Sequence, residues 1–289
     1  MRTAVPEHAI PAGPLGVRWH AYELPPLRAG VAMTGSVELE NAGTATWQRD
    51  TWLSYHWLDP LGNPIVWEGL RAKLPKRVRP GDRVEVELPV RAPYPPGRYR
   101  LAIDLVEEGR FWFAEVGNET LRAEVEVPAR LLDRRLAVVL APGDPALAAR
   151  TRDALARQEV PIAETGGATA YLAPGVLPPP DWSARVLAAH DEGYAWVAGS
   201  LALEGTRRDV RRARAALGDW TPGFGRMPTW RRPLLCPSVV AEYVGHMAWL
   251  DPLAGLPALE PRQYGEPWLM DGTIEVGLDA AAVTAAVGA

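Results

Sequence analysis

Cysteine is almost missing from this chain. Cys236 is the one example in 289 residues, so no disulfide can close within the chain and a thiolate zinc site lacks its ligands. Histidine is scarce as well. His8, His20, His56, His190 and His246 are dispersed, with none of the HxH or HExxH spacings that bring two imidazoles onto one metal. No metal and no cofactor are therefore expected. Long apolar runs are also absent: nothing approaches the roughly 18 consecutive apolar residues needed to cross a bilayer. The opening MRTAVPEHAIPAGPLGV has neither the charged start nor the apolar stretch of a signal peptide. These absences predict a soluble, cytoplasmic protein with no membrane span. Positive charge is not in excess either, since the formal net charge is −4, and nothing in the balance points to nucleic acid. The phosphate-binding patterns GxGxxG and GxxxxGK[ST] are missing, and so is the GxSxG elbow of serine hydrolases.

What remains is ordinary globular composition. Hydrophobic residues make up 47% and charged residues 23%, far from the polar, highly charged regime that stays disordered. The length suits two cores. Proline and glycine are abundant, at 29 and 27, and arginine greatly outnumbers lysine.

From Val17 to Val127 apolar residues recur at every second position, the mark of strands with one face on a core. Val31, Met33, Val37 and Leu39 alternate in this way; so do Leu53, Tyr55 and Trp57, then Val84 to Val90, Tyr99 to Leu105, and Leu121 to Val127. Turn signals separate them at Asn41-Ala42-Gly43, Asp59 to Pro64, Arg79 to Asp82, Pro95-Pro96-Gly97 and Glu108-Gly109. Seven or eight short strands with regular turns predict a sandwich. At Pro128 the pattern changes. Arg135 to Ala141 is a continuous apolar run, followed by Pro142-Gly143-Asp144-Pro145 and an amphipathic helix to Gln158. A strand at Ala168 to Ala173, a helix from Asp181 to Asp191, a strand at Tyr194 to Gly199 and a helix at Thr206 to Leu217 come next. A short helix at Ser238 to Met247, within the stretch Arg226 to Pro267 that is rich in proline and aromatics, and a last strand at Thr273 to Leu278 follow. Alternating strands and helices predict a mostly parallel sheet.

The run NAGTATWQRDTWLSYHWLDPLGNPIVWEGLRAKLP, with VRPGDRVEVELPVRAPYPPGRYRLAIDLVEEGRFWF after it, resembles the immunoglobulin-like domains attached to bacterial glycan-related proteins, among them sugar-transfer enzymes and polysaccharide exporters. It is also similar to the four-tryptophan domain of selective-autophagy receptors. Its marks are Asn41-Ala42-Gly43 before Trp47, Pro80-Gly81, Pro96-Gly97-Arg98-Tyr99 and Trp112-Phe113, which are turn and core positions and identify a fold. The expected architecture is thus two-domain, all-β plus α/β. An N-terminal tail covers 1–13, an immunoglobulin-like antiparallel sandwich 14–129, and a small Rossmann-like, mostly parallel α/β domain 130–289.

Candidate ligand-binding residues fall in both halves. Trp52, Trp67 and Trp112 are the indoles to test for sugar stacking, against the competing reading that strand aromatics are packing residues. By parity Tyr55 and Trp57 point inward, with Trp52 and His56 on the opposite face. Asp104, Glu107 and Glu108 beside Trp112 form an acidic set, more simply read as turn and surface carboxylates. Asp144 sits where α/β sheets bind phosphate on a helix N-terminus. The segment Cys236-Pro237-Ser238 to Glu242-Tyr243 resembles the stretch by which two-domain sugar-transfer enzymes hold a nucleotide sugar; that resemblance implies Glu242 on the donor ribose, with Ser238 nearby. Gly223-Phe224-Gly225 reads as a turn. Arg207, Arg208, Arg211, Arg212 and Arg214 load one helix with charge, a solvated face or an acidic-partner site. Three functions follow: a non-catalytic protein of glycan or cell-envelope metabolism that binds carbohydrate or a partner protein; a small sugar-transfer or sugar-modifying enzyme using Asp144, Ser238 and Glu242; and a homo-oligomeric assembly protein joined by sandwich edges or by the segment from Met227 to Trp268.

Overall fold

In the computed structural model, residues 2–140, 144–172, 174–217, 238–240 and 267–281 are described. The chain divides into two compact units, Met1–Ala129 and Arg130–Ala289.

The N-terminal unit contains only strands and one short helical turn. In chain order they are β1 (Thr3–Ala4), β2 (Val17–Glu23), β3 (Ala32–Asn41), β4 (Thr51–Leu58), β5 (Pro64–Val66), β6 (Ala72–Lys73), β7 (Arg83–Arg91), β8 (Gly97–Glu107), β9 (Phe111–Trp112) and β10 (Leu121–Val127), with a 3-10 turn at Phe113–Val116. Two sheets form, ordered β1-β2-β3-β7 and β10-β8-β4-β5; β6 pairs with β4, and β9 with β8. Every pairing is antiparallel. The first strand lies ahead of residue 14 and is part of the first sheet through Thr3↔Tyr22.

Strand alternation explains the core. On β7, Val84, Val86, Leu88 and Val90 are buried while Arg83, Glu85 and Glu87 face water. Leu53, Tyr55 and Trp57 from β4 and Leu101, Ile103 and Leu105 from β8 fill the same cluster from the other sheet. Each fully buried side chain of this size contributes about 1.5–3 kcal/mol of transfer free energy. The sheets are also tied by polar bonds through Arg91, whose backbone N–H donates to the Tyr55 hydroxyl at 2.9 Å and whose carbonyl accepts the Trp57 indole N–H at 2.8 Å.

The first of the predicted turns has a clear physical role. Asn41 is fully buried, and its amide donates to the carbonyls of Ala45 and Val78, both at 2.8 Å, while its oxygen accepts the Gly43 N–H at 3.0 Å. Its backbone carbonyl takes the N–H of Gly81, whose φ of 81° is natural only to glycine. One side chain therefore joins the 42–50 loop to the 74–82 loop. Replacing Asn41 by Ala strips three bonds; the Val78 carbonyl keeps the Trp47 N–H as donor, while the Ala45 carbonyl and the Gly43 N–H lose the partner that Asn41 supplied. The expected cost is about 2–3 kcal/mol in urea unfolding of the intact protein; a change under about 0.5 kcal/mol would show the bonds to be dispensable.

The C-terminal unit departs from the expected architecture. Its elements are β11 (Leu136–Leu140), α1 (Pro145–Leu155), β12 (Ala168–Leu172), β13 (Val176–Leu177), α2 (Trp182–Glu192), β14 (Trp196–Glu204), α3 (Arg207–Leu217), β15 (Ser238–Val240) and β16 (Trp268–Asp279). The sheet runs β11-β12-β15-β14-β16-β13. Among the described strands only β11/β12 and β14/β16 are parallel; β12/β15, β14/β15 and β13/β16 are antiparallel. The sheet is mixed, and the Rossmann-like parallel α/β domain is not what this sequence forms. The reason lies in β15. It enters between β12 and β14 running against both, in the slot that successive βαβ crossovers would have filled with a parallel strand. Ser238, expected to open a helix, instead pairs with Ala170 and Val197; the rest of that expected helix, 241–247, lies outside the described residues.

Packing on this sheet follows the apolar faces of α1 and α2. Trp182, Val186, Leu187 and Ala189 of α2 are buried against Leu136, Ala170, Val197 and Val276. α2 ends at Gly193, with a φ of 128°, and His190 of its last turn is completely enclosed, its Nδ1–H donating to the Tyr194 carbonyl at 2.8 Å. No helix among the described residues is long and apolar enough to cross a membrane.

Candidate functional site

The outer face of β4 and β8 carries the densest group of chemistry-bearing side chains among the described residues of the N-terminal unit. Parity places Trp52, Ser54 and His56 of β4 on that face, with Asp104 of β8 directly across from Ser54. Alternation alone would leave them wet. They are instead covered by the chain that follows β5, which folds back across the sheet at Gly69. The Gly69 N–H donates to the Tyr55 carbonyl at 3.0 Å, and a Cβ there would meet that oxygen at 2.4 Å. No larger residue allows the crossing. The 65–71 segment and the Phe111–Val116 segment then roof the face from two sides, and Ser54, His56 and Asp104 become 0%, 3% and 0% exposed. His56 does lie on the face that parity gives it, but the exposure expected there is corrected, because the face is covered. Period-two spacing gives the side of a sheet but not whether another segment covers it.

Three rings define the centre. The Trp67 indole stacks on His56 with centroids 4.0 Å apart and planes 24° from parallel; Trp112 meets His56 at 4.3 Å and Trp67 at 6.2 Å, both edge-on. His56 Nδ1–H donates to the Trp67 carbonyl in a short bond, so one residue supplies both the stacking partner and the acceptor. Arg71 lies over Trp112 with its guanidinium carbon 4.8 Å from the ring, donates to Ser54 Oγ at 2.9 Å and pairs with Glu68 and Glu108. Trp67 itself stays 48% exposed.

Beneath the rings lies a buried carboxyl. Asp104 accepts the Leu105 N–H at 2.8 Å and the Ala114 N–H at 3.1 Å, while His56 Nε2 stands 4.0 Å from Oδ2, beyond hydrogen-bond reach. Burial pushes the Asp104 carboxyl up to about 7, with the two backbone donors opposing it. Burial likewise holds His56 below the usual imidazole range, against the pull of the Trp67 carbonyl. Both groups are driven toward their neutral forms by desolvation. A carboxyl near 7 can serve as a general acid where it reaches substrate, but this one is sealed and commits its oxygens to the backbone. Its role is to fasten the Phe113–Val116 turn, and with it Trp112, to β8.

The remaining expected residues disperse. Trp52 is half-buried with Lys73 Nζ 6.0 Å from its ring. Trp112 is 6% exposed, so its face is not offered to a ligand. Glu107, largely covered, pairs with Arg110, and the exposed Glu108 pairs with Arg71. In the C-terminal unit, Asp144 caps α1 by accepting the Leu147 N–H at 2.9 Å, and Ser238 lies within β15. Glu242, Cys236, Pro142-Gly143 and Gly223-Phe224-Gly225 lie outside the described residues, as does most of Met227 to Trp268. No group of three or more potential metal ligands gathers among the described residues. Sequence reasoning named Asp104 and Trp67 but missed that His56 joins them, and it missed Arg71. The one available signal was Gly69 two residues after Trp67, a marker of close chain approach.

No protein-family model and no curated protein matches the chain. Among solved structures it is similar to a β-glucosidase from Listeria innocua in complex with glucose, at 14% identity and a TM-score of 0.25, over 38% of this chain and 15% of that one. A family 123 glycoside hydrolase from Clostridium perfringens matches at 10% identity and a TM-score of 0.23, over 44% of this chain and 26% of that one. The ApaA protein from Bordetella pertussis matches at 17% identity and a TM-score of 0.21, over 40% of this chain and 92% of that one. Scores this low carry no argument about fold or activity.

Proposed function

We propose that the Met1–Ala129 unit is a non-catalytic binding module for carbohydrate, with Trp67 as its platform. The observation that carries this reading is that Trp67 is half-exposed yet held. One face rests on His56, the same imidazole bonds the Trp67 carbonyl, and His56 is in turn wedged against Trp112. A sugar presents a flat array of C–H groups to an aromatic face, and an indole fixed in advance loses little freedom on binding. Glu68, Arg71 and Glu108 form a charged rim that suits hydroxyl groups.

The test is calorimetric titration of the intact protein with neutral cello-, xylo- and manno-oligosaccharides. One of these should bind, and Trp67→Ala should weaken it at least about tenfold, about 1.4 kcal/mol, in a protein that still unfolds cooperatively. Absence of binding by all three, or binding indifferent to Trp67→Ala, overturns the proposal. A second reading, a protein partner on the same surface, is favoured by Ile65, Leu70 and Tyr94, exposed at 46%, 37% and 42% beside a groove of about 390 Å3. In that case no sugar responds, and Trp67→Ala changes the sedimentation of the protein or of its complex.

A further inference from the structure

The chain contains two lysines, Lys73 and Lys76, and both line the same surface groove. This groove, of about 900 Å3, lies where the 46–49 stretch faces the 73–82 stretch; Arg49, Arg77 and Arg79 complete a set of five cations, and Asp82 is the single carboxylate on the wall. Lys76 Nζ reaches Asp82 at 3.3 Å, so that carboxylate is already engaged. Arg49, Arg77 and Arg79 are exposed and have no carboxylate within 4.0 Å among the described residues. Elsewhere the chain pairs surface arginines closely, as in Arg100–Glu124 at 2.7 Å, Arg135–Asp133 at 2.7 Å and Arg185–Asp181 at 2.6 Å. Five cations set against the single carboxylate of Asp82, in a protein of net charge −4, repel one another. An arriving anion relieves that repulsion and is concentrated by the same field.

The walls are built in advance. Trp47, 1% exposed, pairs by backbone with Val78 at 2.9 Å, and Asn41 bonds the carbonyls of both Ala45 and Val78. The two loops are therefore fixed relative to each other before any ligand arrives. The floor and sides are Thr46, Gln48, Leu74 and Pro75, without an aromatic face for stacking bases, which single-stranded nucleic acid requires for tight, backbone-tracking binding. Guanidinium forks match planar carboxylate and the oxygens of sulfate in two-point bonds.

We infer that this groove binds an acidic polysaccharide, whose carboxylate or sulfate groups are held by Arg49, Arg77 and Arg79 with the two lysines. The site stands apart from the Trp67 platform, with no lining residue in common, and does not depend on it.

The experiment titrates the intact protein with polygalacturonate and dextran sulfate at 50 and 200 mM NaCl, with neutral dextran and single-stranded oligo(dT) beside them. At least one acidic polysaccharide should bind and weaken several-fold with salt. The two probes separate carboxylate from sulfate recognition. The Arg49→Ala/Arg77→Ala double variant should lose at least about tenfold in affinity while melting as the parent does, and Arg49→Lys/Arg77→Lys should recover part of the loss. Trp67→Ala should leave this binding unchanged, which distinguishes failure here from failure of the neutral-sugar platform. Four outcomes overturn the inference: no binding to either acidic polysaccharide at 50 mM NaCl, equal binding of neutral dextran, indifference to the double variant, or tighter binding of oligo(dT).

Discussion

Trp57→Ala is expected to destabilise the N-terminal unit by about 3–5 kcal/mol, among the largest effects any single truncation can have. Trp57 is completely buried near the C-terminal end of β4 and meets Tyr55 and Tyr99 edge-to-face, each with centroids 6.3 Å apart. Truncation removes the indole's transfer free energy, two aromatic contacts and the filling of a space that the rigid sheets cannot close. It also removes the 2.8 Å bond to the Arg91 carbonyl, one of the ties from β4 to β7 in the facing sheet. Trp57→Phe, which keeps one aromatic ring but loses the N–H and part of the volume, should cost less than Trp57→Ala. Urea unfolding followed on both variants decides between these. A Trp57→Ala loss below about 1.5 kcal/mol would mean the sheets repack around the gap.

Acidification should act on the two units in opposite senses. His190 is fully enclosed, and burial pushes its imidazole down to about 4, with the Arg130 guanidinium adding to the shift and the Tyr194 carbonyl opposing it. In the unfolded chain the same group titrates near 6.5. Between pH 6.5 and 4 the unfolded state therefore holds the extra proton, so the C-terminal unit loses stability as pH falls, by about 3 kcal/mol across the window from this group. Asp191, raised by burial, offsets part of that loss. Asp104 works the other way in the N-terminal unit. Its folded value near 7 lies above the unfolded carboxylate range, so its contribution is complete at low pH and is lost as pH rises toward 7. His56, depressed by burial, opposes Asp104 below pH 6.5. Calorimetric scans at pH 7 and 4.5 should show the C-terminal transition falling by several degrees while the N-terminal one holds or rises. His190→Gln should flatten the C-terminal response; a variant that keeps the parental slope would assign the effect to another group.

The sequence carried local structure better than it carried topology. The apolar run beginning at Arg135 became β11, and the signals at Asp181 and Gly193 bracket α2 to within a residue. Such signals work because strand alternation, caps and left-handed glycines are local properties. Strand direction is not local. Nothing in Ser238-Val239-Val240 states that it will run against both neighbours, and that one antiparallel insertion turns an expected parallel sheet into a mixed one. The same limit applied at the binding face. Trp67 could be named from its residue type, but the enclosure of His56 and Asp104 depends on the chain returning over β4 at Gly69 after it has left β5. Asn41, seen first as a turn signal, proved to join two loops whose cations are spread from position 49 to position 79.

That distribution of cations leaves the protein with an unusual chemical handle. Lys73 and Lys76 carry every side-chain amine in the chain. Amine-selective reagents will therefore modify the groove and, apart from the α-amino terminus, nothing else. A fluorophore attached this way reports from the groove wall itself, whereas attachment to a solid support through amines would occlude it.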